Sequence, residues 1–368
     1  MYNIKNYPVL FVNLLFLIIA LTLFACNTKK NSVGNDDEIN IIADTADYLL
    51  LKPVISKVFN KTIYTPQPEK LYDLNRFSFE KLDKLKNKKN IIIACPLNTG
   101  SDLSKYLESL LDKNVKQKIL ADSVSFFIKY NLWADDQIVL IVTGNSNKII
   151  EYNLLKYGEN LIYSFQKISD KRLFNSLYNE NHEQKNIEAK FLNNYGWMIY
   201  VQADFLLALN KPEDNFVWLR RSPDTEMERW IFVHWIENAN PLYLSADSIA
   251  VLRNKLTKKF YRTTDNKNWI EIVEDNKSFK EINFNGYYAI MTQGLWHFND
   301  NSGGGPFINY TFYDEKTKRL YMLDGSVYAP KYYKKKLIHQ MDVLLQSFMP
   351  EYKVEKSKKE DILDHLEK

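Results

Sequence analysis

The chain offers few side chains whose types and spacing could perform catalysis. Its five histidines share no metal-ligand spacing with one another or with a cysteine. They are His182, His234, His297, His339 and His365. The patterns of a zinc-protease helix, a nucleophile elbow, a phosphate loop and a dinucleotide turn are also missing from the sequence. The sequence therefore favours a non-catalytic protein with no catalytic residue, cofactor or metal site.

A hydrolase of unrecognised type that uses carboxylates for catalysis remains an alternative. The hydrolase would use carboxylates near the glycine-rich loop, such as Asp300 or Asp324. Two of them could act as acid and base if they faced one cleft with separated pKa values. His234 lies on the same strand face as Trp230 and Phe232 and is predicted to be a hydrogen-bonded core or edge histidine. Cys95 ends an apolar run and is predicted to be a packed core thiol, because no base stands near it in the sequence.

Cys26 is the residue with the clearest predicted chemistry. Lys5 precedes the apolar run Val9–Leu23, which is the order of a signal peptide over residues 1–25. The segment Leu23-Phe24-Ala25-Cys26 resembles the bacterial lipobox, in which the thiol becomes a thioether to diacylglycerol. Up to three acyl chains would make anchoring effectively permanent. The alternative is an uncleaved membrane helix, since a bilayer span needs about 18 to 20 apolar residues.

The loop between Trp296 and Phe307 is the candidate binding site. Its three consecutive glycines cost backbone entropy, so they are expected where φ is positive or where another group approaches closely. The two aromatic side chains could stack on a glycan or a peptide, and the amides of Asn299 and Asn301 could hydrogen-bond to it. Gly304 completes this candidate set. The alternative is a wide hairpin loop that only joins two strands.

Charge and composition narrow the classes of partner. The 49 Lys and Arg residues against 45 Asp and Glu give a net charge of +4, and no basic block stands out, so nucleic acid is not expected as a partner. Aromatic residues make up 14% of the chain, which is ample material for one large or two ordinary cores.

The pattern of elements predicts an α+β protein with two α/β-type halves. Strands alternate with helices in the first half, whereas the second reads as an antiparallel sheet with helices packed on one face. Its element order is similar to that of the PsbP and Mog1 class of folds. The predicted divisions are a signal peptide (1–25), a lipidated cysteine with a flexible tether (26–38), an N-terminal α/β domain (39–178), a C-terminal α+β domain (187–350) and a charged tail (351–368). Disorder is expected in this tail from Glu355.

Three stretches together carry a resemblance to a known family. They are Thr65-Pro66-Gln67-Pro68-Glu69, Phe216-Val217-Trp218-Leu219-Arg220 with Trp230 to Trp235, and Gly304 to Tyr310 with Gly325 and Tyr328-Ala329-Pro330. Leu132-Trp133-Ala134 with Gln137 and Asn283-Phe284-Asn285-Gly286 also fit. They resemble the DUF4837 family of Bacteroidetes lipoproteins over nearly the whole mature chain. The resemblance implies a Gram-negative envelope lipoprotein and carries over no catalytic or binding residue.

These observations together favour a membrane-anchored cell-envelope lipoprotein that acts as a non-catalytic binding or assembly module. Its expected partners are the membrane, through the lipid on Cys26, and an envelope protein or glycan. The resemblance implies that acidic residues just after the lipidated cysteine would be a surface-export signal. The residues after Cys26 are not acidic, so the expected location is the outer membrane with the body facing the periplasm. Besides the hydrolase, a carrier or sensor of an apolar small molecule remains an alternative.

Overall fold

The structure is a computed structural model that describes residues 29–63, 65–178, 180–223 and 225–366. The predicted signal peptide and Cys26 lie outside these residues. The helices are α1 (Thr45–Phe59), α2 (Leu82–Leu85), α3 (Asp102–Ser109), α4 (Lys113–Leu120), α5 (Asn147–Leu177), α6 (Lys185–Tyr195), α7 (Ala246–Phe260), α8 (Lys335–Leu345) and α9 (Lys356–Leu363). Across the described ranges, no helix has the length and apolar character that a bilayer span requires.

The strands are mostly short in the first part of the chain and long in the second. They are β1 (Glu38–Ile42), β2 (Thr62–Ile63), β3 (Glu69–Lys70), β4 (Asp73–Phe77), β5 (Asn90–Ala94), β6 (Phe126–Tyr130), β7 (Ile138–Val142), β8 (Trp197–Met198), β9 (Phe205–Lys211), β10 (Phe216–Arg221), β11 (Glu228–Ile236), β12 (Ile270–Phe284), β13 (Tyr287–Phe298), β14 (Gly304–Asp314), β15 (Arg319–Tyr328) and β16 (Met349–Pro350).

The chain folds into two compact units that differ from the predicted halves. Within the described residues, the first unit comprises 29–48 and 75–146, and the second comprises 49–74 and 147–366. The prediction placed the boundary between residues 178 and 187, but α5 belongs to the second unit. Phe165 of α5 shows why, because its ring packs 5.3 Å from that of Phe59 and 6.1 Å from that of Tyr72, within that unit.

The first unit is built on a five-stranded sheet in the order β4-β1-β5-β7-β6. β1, β5 and β7 run parallel, and β6 pairs antiparallel with β7. The central strand Asn90–Ala94 is buried along its whole length, as expected for a parallel strand covered on both faces. The α/β character predicted for this part of the chain is confirmed.

The segment predicted as a flexible tether is folded from its first described residues. Bridges join Asn31 to Asp135 and Val33 to Lys88, and the Lys89 ammonium lies 2.9 Å from the Asp36 carboxylate. The tether prediction for residues 29–38 is therefore wrong. Polar composition indicated a solvated coil, but these backbone groups find partners along the edge of the first unit.

The second unit is built on a seven-stranded antiparallel sheet in the order β12-β13-β14-β15-β11-β10-β9. Side chains alternate between two hydrophobic clusters along each strand. On β11, Ile231, Val233 and Trp235 join one cluster, whereas Trp230 and Phe232 join the other. The predicted antiparallel sheet and the α+β class are confirmed.

Helices cover both faces of this sheet rather than one. Met341 and Leu344 of α8 pack into the first cluster, and Ile249 and Leu256 of α7 pack into the second. The reason is visible in β11, which is buried on both sides over all but its last residue, so each face needs an apolar layer.

The charged C-terminal segment is ordered and not disordered as the sequence suggested. It forms α9, whose Ile362 is fully buried with Ala189, Leu192 and Met198. Lys185 and Asp361 add an ion pair of 2.9 Å between α6 and α9. Ile362 is the one fully buried apolar side chain described in this helix, with Leu363 partly buried against the same cluster. So few apolar positions are why its composition read as a solvated tail.

Candidate functional site

Six aromatic side chains lie across one end of the large sheet, on the face covered by α7. This aromatic row consists of Trp218, Trp230, Tyr261, Trp296, Phe298 and Tyr328. Neighbouring ring centroids are 4.5 Å apart for Trp218–Tyr261, 5.4 Å for Trp230–Tyr261, 5.2 Å for Trp230–Trp296, 5.5 Å for Trp296–Phe298 and 6.2 Å for Phe298–Tyr328. The row therefore forms one continuous aromatic surface, with a buried centre and a half-buried rim of Trp218, Phe298 and Tyr328.

Strand register brings the members of the row together. Arg220 of β10 pairs with Trp230 of β11, and Glu228 of β11 pairs with Tyr328 of β15. Trp296 of β13 pairs with Gly305 of β14. Because side chains alternate along a strand, the members that come from the strands point to the same face of the sheet.

Glycines in β14 and just before it let the row cross that strand. A Cβ atom on Gly305 would lie 1.9 Å from the carbonyl oxygen of Val327 and 3.3 Å from Trp296 Nε1. On Gly303 it would lie 3.1 Å from the Tyr328 ring. These glycines do not have positive φ angles. The sequence predicted either positive φ angles or the close approach of another group, and the second alternative applies. The approaching groups are the Val327 carbonyl oxygen and the side chains of Trp296 and Tyr328.

Polar groups accompany the rim of the row. Arg220 donates to Glu228 Oε2 at 2.7 Å and its guanidinium lies 5.3 Å from the Trp218 ring centroid. Trp230 Nε1 donates to the same carboxylate at 2.7 Å. In contrast, Trp218 Nε1, Tyr261 Oη and Trp296 Nε1 are buried and have no hydrogen-bond partner among the described residues. The row therefore combines flat apolar surface with donors that require an acceptor.

A buried ion pair lies beneath the row. Arg253 Nε donates to Asp324 Oδ2 at 2.6 Å, and both side chains are inaccessible to solvent. Ser326 and Asn309 also donate to this carboxylate, at 2.8 and 3.2 Å. The Arg253 guanidinium stacks 3.8 Å from the Phe307 ring centroid. These contacts tie α7 to the two neighbouring strands β14 and β15 and fix the floor of the row.

The residues predicted for the binding loop fall into two groups. Trp296 and Phe307 are about 1% exposed, so neither ring presents a free face. Asn299 Oδ1 accepts from the Trp269 amide at 2.8 Å, and Asn301 Oδ1 lies 2.8 Å from His297 Nδ1. Gly304 is half-buried and pairs with His297. The amides thus brace the hairpin, and Trp296 alone of the set belongs to the aromatic row.

The carboxylates of the hydrolase alternative occupy different environments. Asp300 is exposed in the hairpin turn, where bonds from Ser302 lower the pKa of its carboxyl group. Asp324 is fully buried and held by Arg253. Because Asp300 is exposed and Asp324 is buried, the two carboxylates do not face one solvent-filled cleft.

His234 is a hydrogen-bonded core histidine, as predicted. Its Nδ1 lies 2.9 Å from the carbonyl oxygen of Asn215. Burial lowers the pKa of the imidazole to about 4, although nearby carbonyl groups oppose the shift. The ring is therefore neutral at physiological pH.

One group of potential metal ligands occurs in the described ranges, at the carboxyl ends of β1 and β5. The donor atoms of Asp44, Asp47 and Cys95 lie within 4.8 Å of one another. Burial, reinforced by the two carboxylates, raises the pKa of the Cys95 thiol to about 12. The thiol is buried and donates to the Pro96 carbonyl oxygen at 3.1 Å. The prediction of a packed core thiol is confirmed, and a metal ion here would first have to displace its proton.

Sequence reasoning missed five members of the row and the polar pair at its rim. They are Trp218, Trp230, Tyr261, Phe298 and Tyr328, with Arg220 and Glu228. The signal was available in the strands: Trp218 and Arg220 stand two residues apart on one strand, and so do Glu228 and Trp230 on the next. This spacing places each pair on one face. Tyr261 carries no such signal, since it follows the end of α7 and is brought in by the tertiary fold.

Two family models match the chain. A domain of unknown function, DUF4837, matches residues 184–347, which include the whole aromatic row. This part of the chain belongs to the DUF4837 family. A second domain of unknown function, DUF8532, matches residues 32–178. The DUF4837 resemblance is thus confirmed for the second half but does not extend over nearly the whole mature chain, because the first half matches a different family.

Solved structures show a distant likeness to part of the chain. The Saccharomyces cerevisiae Ran-binding protein Mog1p is 10% identical and covers 44% of this chain and 93% of its own, with a TM-score of 0.29. A mutant Mog1 protein is 12% identical and covers 45% and 95%, with a TM-score of 0.27. With TM-scores this low, the similarity to the Mog1 class remains an analogy of element order. The search of curated proteins gave no match.

Proposed function

We propose that this protein is a cell-envelope lipoprotein, anchored by lipid on Cys26, whose second unit binds a saccharide chain of the envelope through the aromatic row. The observation that carries the binding proposal is the half-buried rim of Trp218, Phe298 and Tyr328 over a rigid buried centre. Aromatic faces stack on apolar faces of sugar rings, and nearby polar groups meet the hydroxyls.

The polar groups of the row favour a saccharide over a purely apolar ligand. Arg220 and Glu228 offer a paired donor and acceptor beside Trp218. At the rim itself, Trp218 Nε1 has no acceptor among the described residues. A ligand rich in hydroxyl oxygens supplies acceptors, whereas a hydrocarbon does not. A peptide could also supply carbonyl oxygens, and the binding experiment distinguishes the two.

The carrier alternative receives less support from the surface of the second unit. An open depression of about 640 Å³ there is lined by polar and charged groups. Among them, Arg319 and Glu237 form an ion pair of 2.7 Å. An apolar cargo would have to desolvate these charges without replacing their partners.

The anchor is tested by replacing the thiol that would carry the lipid. In cells fed a labelled fatty acid, the wild-type protein should be labelled and should partition with membranes. Cys26→Ser should lose the label, and the uncleaved precursor should accumulate. Cys95→Ser is the matched control and should keep the label. Equal labelling of Cys26→Ser and wild type would contradict the proposal.

Saccharide binding is tested by co-sedimentation of the full-length protein, in detergent micelles, with purified peptidoglycan sacculi. Trp218→Leu should weaken binding about tenfold, because the loss of one stacking contact of about 1.4 kcal/mol corresponds to that factor. Tyr163→Leu removes a ring that is 63% exposed on α5 and should bind like wild type. Equal binding by all three proteins, or displacement by unrelated peptides alone, would contradict a saccharide site at the row.

A further inference from the structure

Two glutamates of the second unit are buried side by side under the C-terminal helix. Glu188 of α6 is fully buried, and its Oε1 accepts from the Val201 amide at 2.7 Å. The Glu183 side chain is 1% exposed, and its Oε1 lies 2.7 Å from the Lys358 ammonium of α9. One oxygen of each carboxyl group is thereby used.

The second oxygen of each group has no donor. Glu183 Oε2 and Glu188 Oε2 are both buried without a hydrogen-bond partner among the described residues. Two ionised carboxylates in this position would repel each other. Two buried acceptors without donors would also raise the free energy of the folded state. A single proton held by Glu188 resolves both problems, because it lets Glu188 donate to Glu183 Oε2.

The charges around the pair support one proton rather than none. Lys358 balances Glu183, and the ion pair of Lys185 with Asp361 lies at the edge of the pair and is neutral as a unit. Burial, and then the negative charge of Glu183, raise the pKa of Glu188 well above its usual range, while Lys358 partly opposes this. One cation therefore faces two carboxyl groups.

Helix α9 contributes Lys358 to this pair. It is otherwise attached by the ion pairs of Asp361 with Lys185 and of Lys359 with Glu351 and by the packing of Ile362 and Leu363. Its buried apolar contact is Ile362, which packs on Ala189, Leu192 and Met198. Its Lys358 is at once the partner of Glu183 and a neighbour of the Tyr178 ring, at 5.6 Å. Release of the helix would expose both carboxyl groups to solvent.

We infer that Glu183 and Glu188 share one proton that helps to hold α9 in place, so that a rise in pH releases this helix. The docked state binds one proton more than the released state at pH values between the ordinary glutamate range and the raised value for the pair. Low pH therefore favours the docked helix, and docking weakens as pH rises through that window. The released helix uncovers the apolar surface formed by Ala189, Leu192 and Met198.

The test is amide hydrogen exchange of residues 356–366 in the full-length protein in detergent, from pH 5 to pH 9, corrected for the intrinsic pH dependence of exchange. The wild-type protection factor should fall about tenfold or more, since each unit of pKa difference is worth a factor of ten. Glu188→Gln should remove the fall, because its amide donates to Glu183 without titrating. Glu360→Gln, an exposed change on α9, should behave like wild type.

Two results would overturn the inference: protection in wild type that is constant over this range, or an undiminished fall in Glu188→Gln. If Glu188→Gln does not fold, carboxyl carbon NMR of the wild-type protein decides. One glutamate of the pair must titrate well above the ordinary range, and ordinary titration of both would overturn the inference.

Discussion

The most deeply buried charges described in the second unit are those of Arg253 and Asp324, which compensate each other. Both side chains are inaccessible to solvent, and the carboxylate takes further bonds from Ser326 and Asn309. A pair of this kind is costly to bury but more costly to break, because the remaining charge then lacks a partner.

Arg253→Met should therefore lower the free energy of unfolding by about 3 to 5 kcal/mol, as expected when one member of a buried pair is removed. The double variant Arg253→Met with Asp324→Asn should recover much of this loss, because no buried charge remains. Urea denaturation measures both values. Lys356→Met, which breaks an exposed pair on α9, is the control and should change stability by less than about 0.5 kcal/mol. A double variant as unstable as the single one would contradict this account.

His234 makes stability depend on pH in a predictable direction. Its pKa is lowered to about 4 in the folded protein, against about 6.5 in an unfolded chain. The unfolded state therefore binds more protons between these values, so stability is lost as pH falls from 6.5 to 4. The loss has an upper limit of about 3 kcal/mol. His234→Gln should reduce the loss between pH 7 and pH 4 in chemical denaturation, and an unchanged pH slope would rule out this role.

At the residue scale, the sequence predicted the burial of individual side chains correctly. His234 and Cys95 were placed correctly because each stands in an apolar, strand-like run that must be buried. Asn299 and Asn301 were predicted to reach a ligand, but they bond to the hairpin itself. A sequence shows that an amide needs a partner, and only the fold shows whether the chain already supplies one.

At the level of elements, β14 depends on its glycines for the approach of neighbouring strands. A Cβ atom on Gly305 would collide with the backbone oxygen of Val327, which cannot move away without disturbing the sheet. The same glycine leaves room for the Trp296 indole. The strand and the aromatic row therefore depend on the same residue.

Gly305→Ala should lower the free energy of unfolding by more than about 3 kcal/mol, as expected for severe overpacking at a backbone contact. Gly100→Ala is the comparison, because its added Cβ meets nothing within 4 Å. There the cost should be about 1 kcal/mol, from the positive φ of 76° alone. Thermal and urea unfolding check both values. Equal losses for the two variants would show that the collision at Gly305 is relieved by movement of the sheet.

Elements with strong apolar periodicity were predicted, and those without it were missed. The strands Ile138–Val142 and Phe216–Arg221 carry apolar patterns that read as strands. The outer part of β12, from Glu274 to Lys280, is mostly polar and half-exposed or exposed at the edge of the sheet, so pairing with β13 and not composition makes it a strand. Helix α9 was missed for the same reason, since one buried isoleucine does not make a pattern.

At the scale of the whole molecule, the chain order conceals the division into units. The segment 49–74 and helix α5 belong with the second unit although both lie in the first half of the sequence. A polar segment marks a single cut in the sequence. Compact units are defined by spatial contacts and can combine segments that are distant in the sequence. The two family models also change near this region, at residues 178 and 184, so family boundaries follow the sequence more closely than compactness does.

Membrane anchoring and saccharide binding are proposed for different parts of the chain. Cys26 would hold the protein at the membrane, and the aromatic row of the second unit would engage the saccharide. Neither role requires catalysis by the carboxylates or histidines that the structure places in buried or self-bonded positions. The claim on which the account depends most is direct contact between the row and its ligand.

The most direct test of that claim is a tryptophan fluorescence titration of the full-length protein with soluble peptidoglycan fragments. The row contains three of the seven tryptophans, so the wild-type protein should show a saturable change in emission. Trp218→Phe should lose a substantial part of that change while retaining its fold by circular dichroism. No saturable change in the wild-type protein, or the same change in Trp218→Phe, would contradict a saccharide site at the aromatic row.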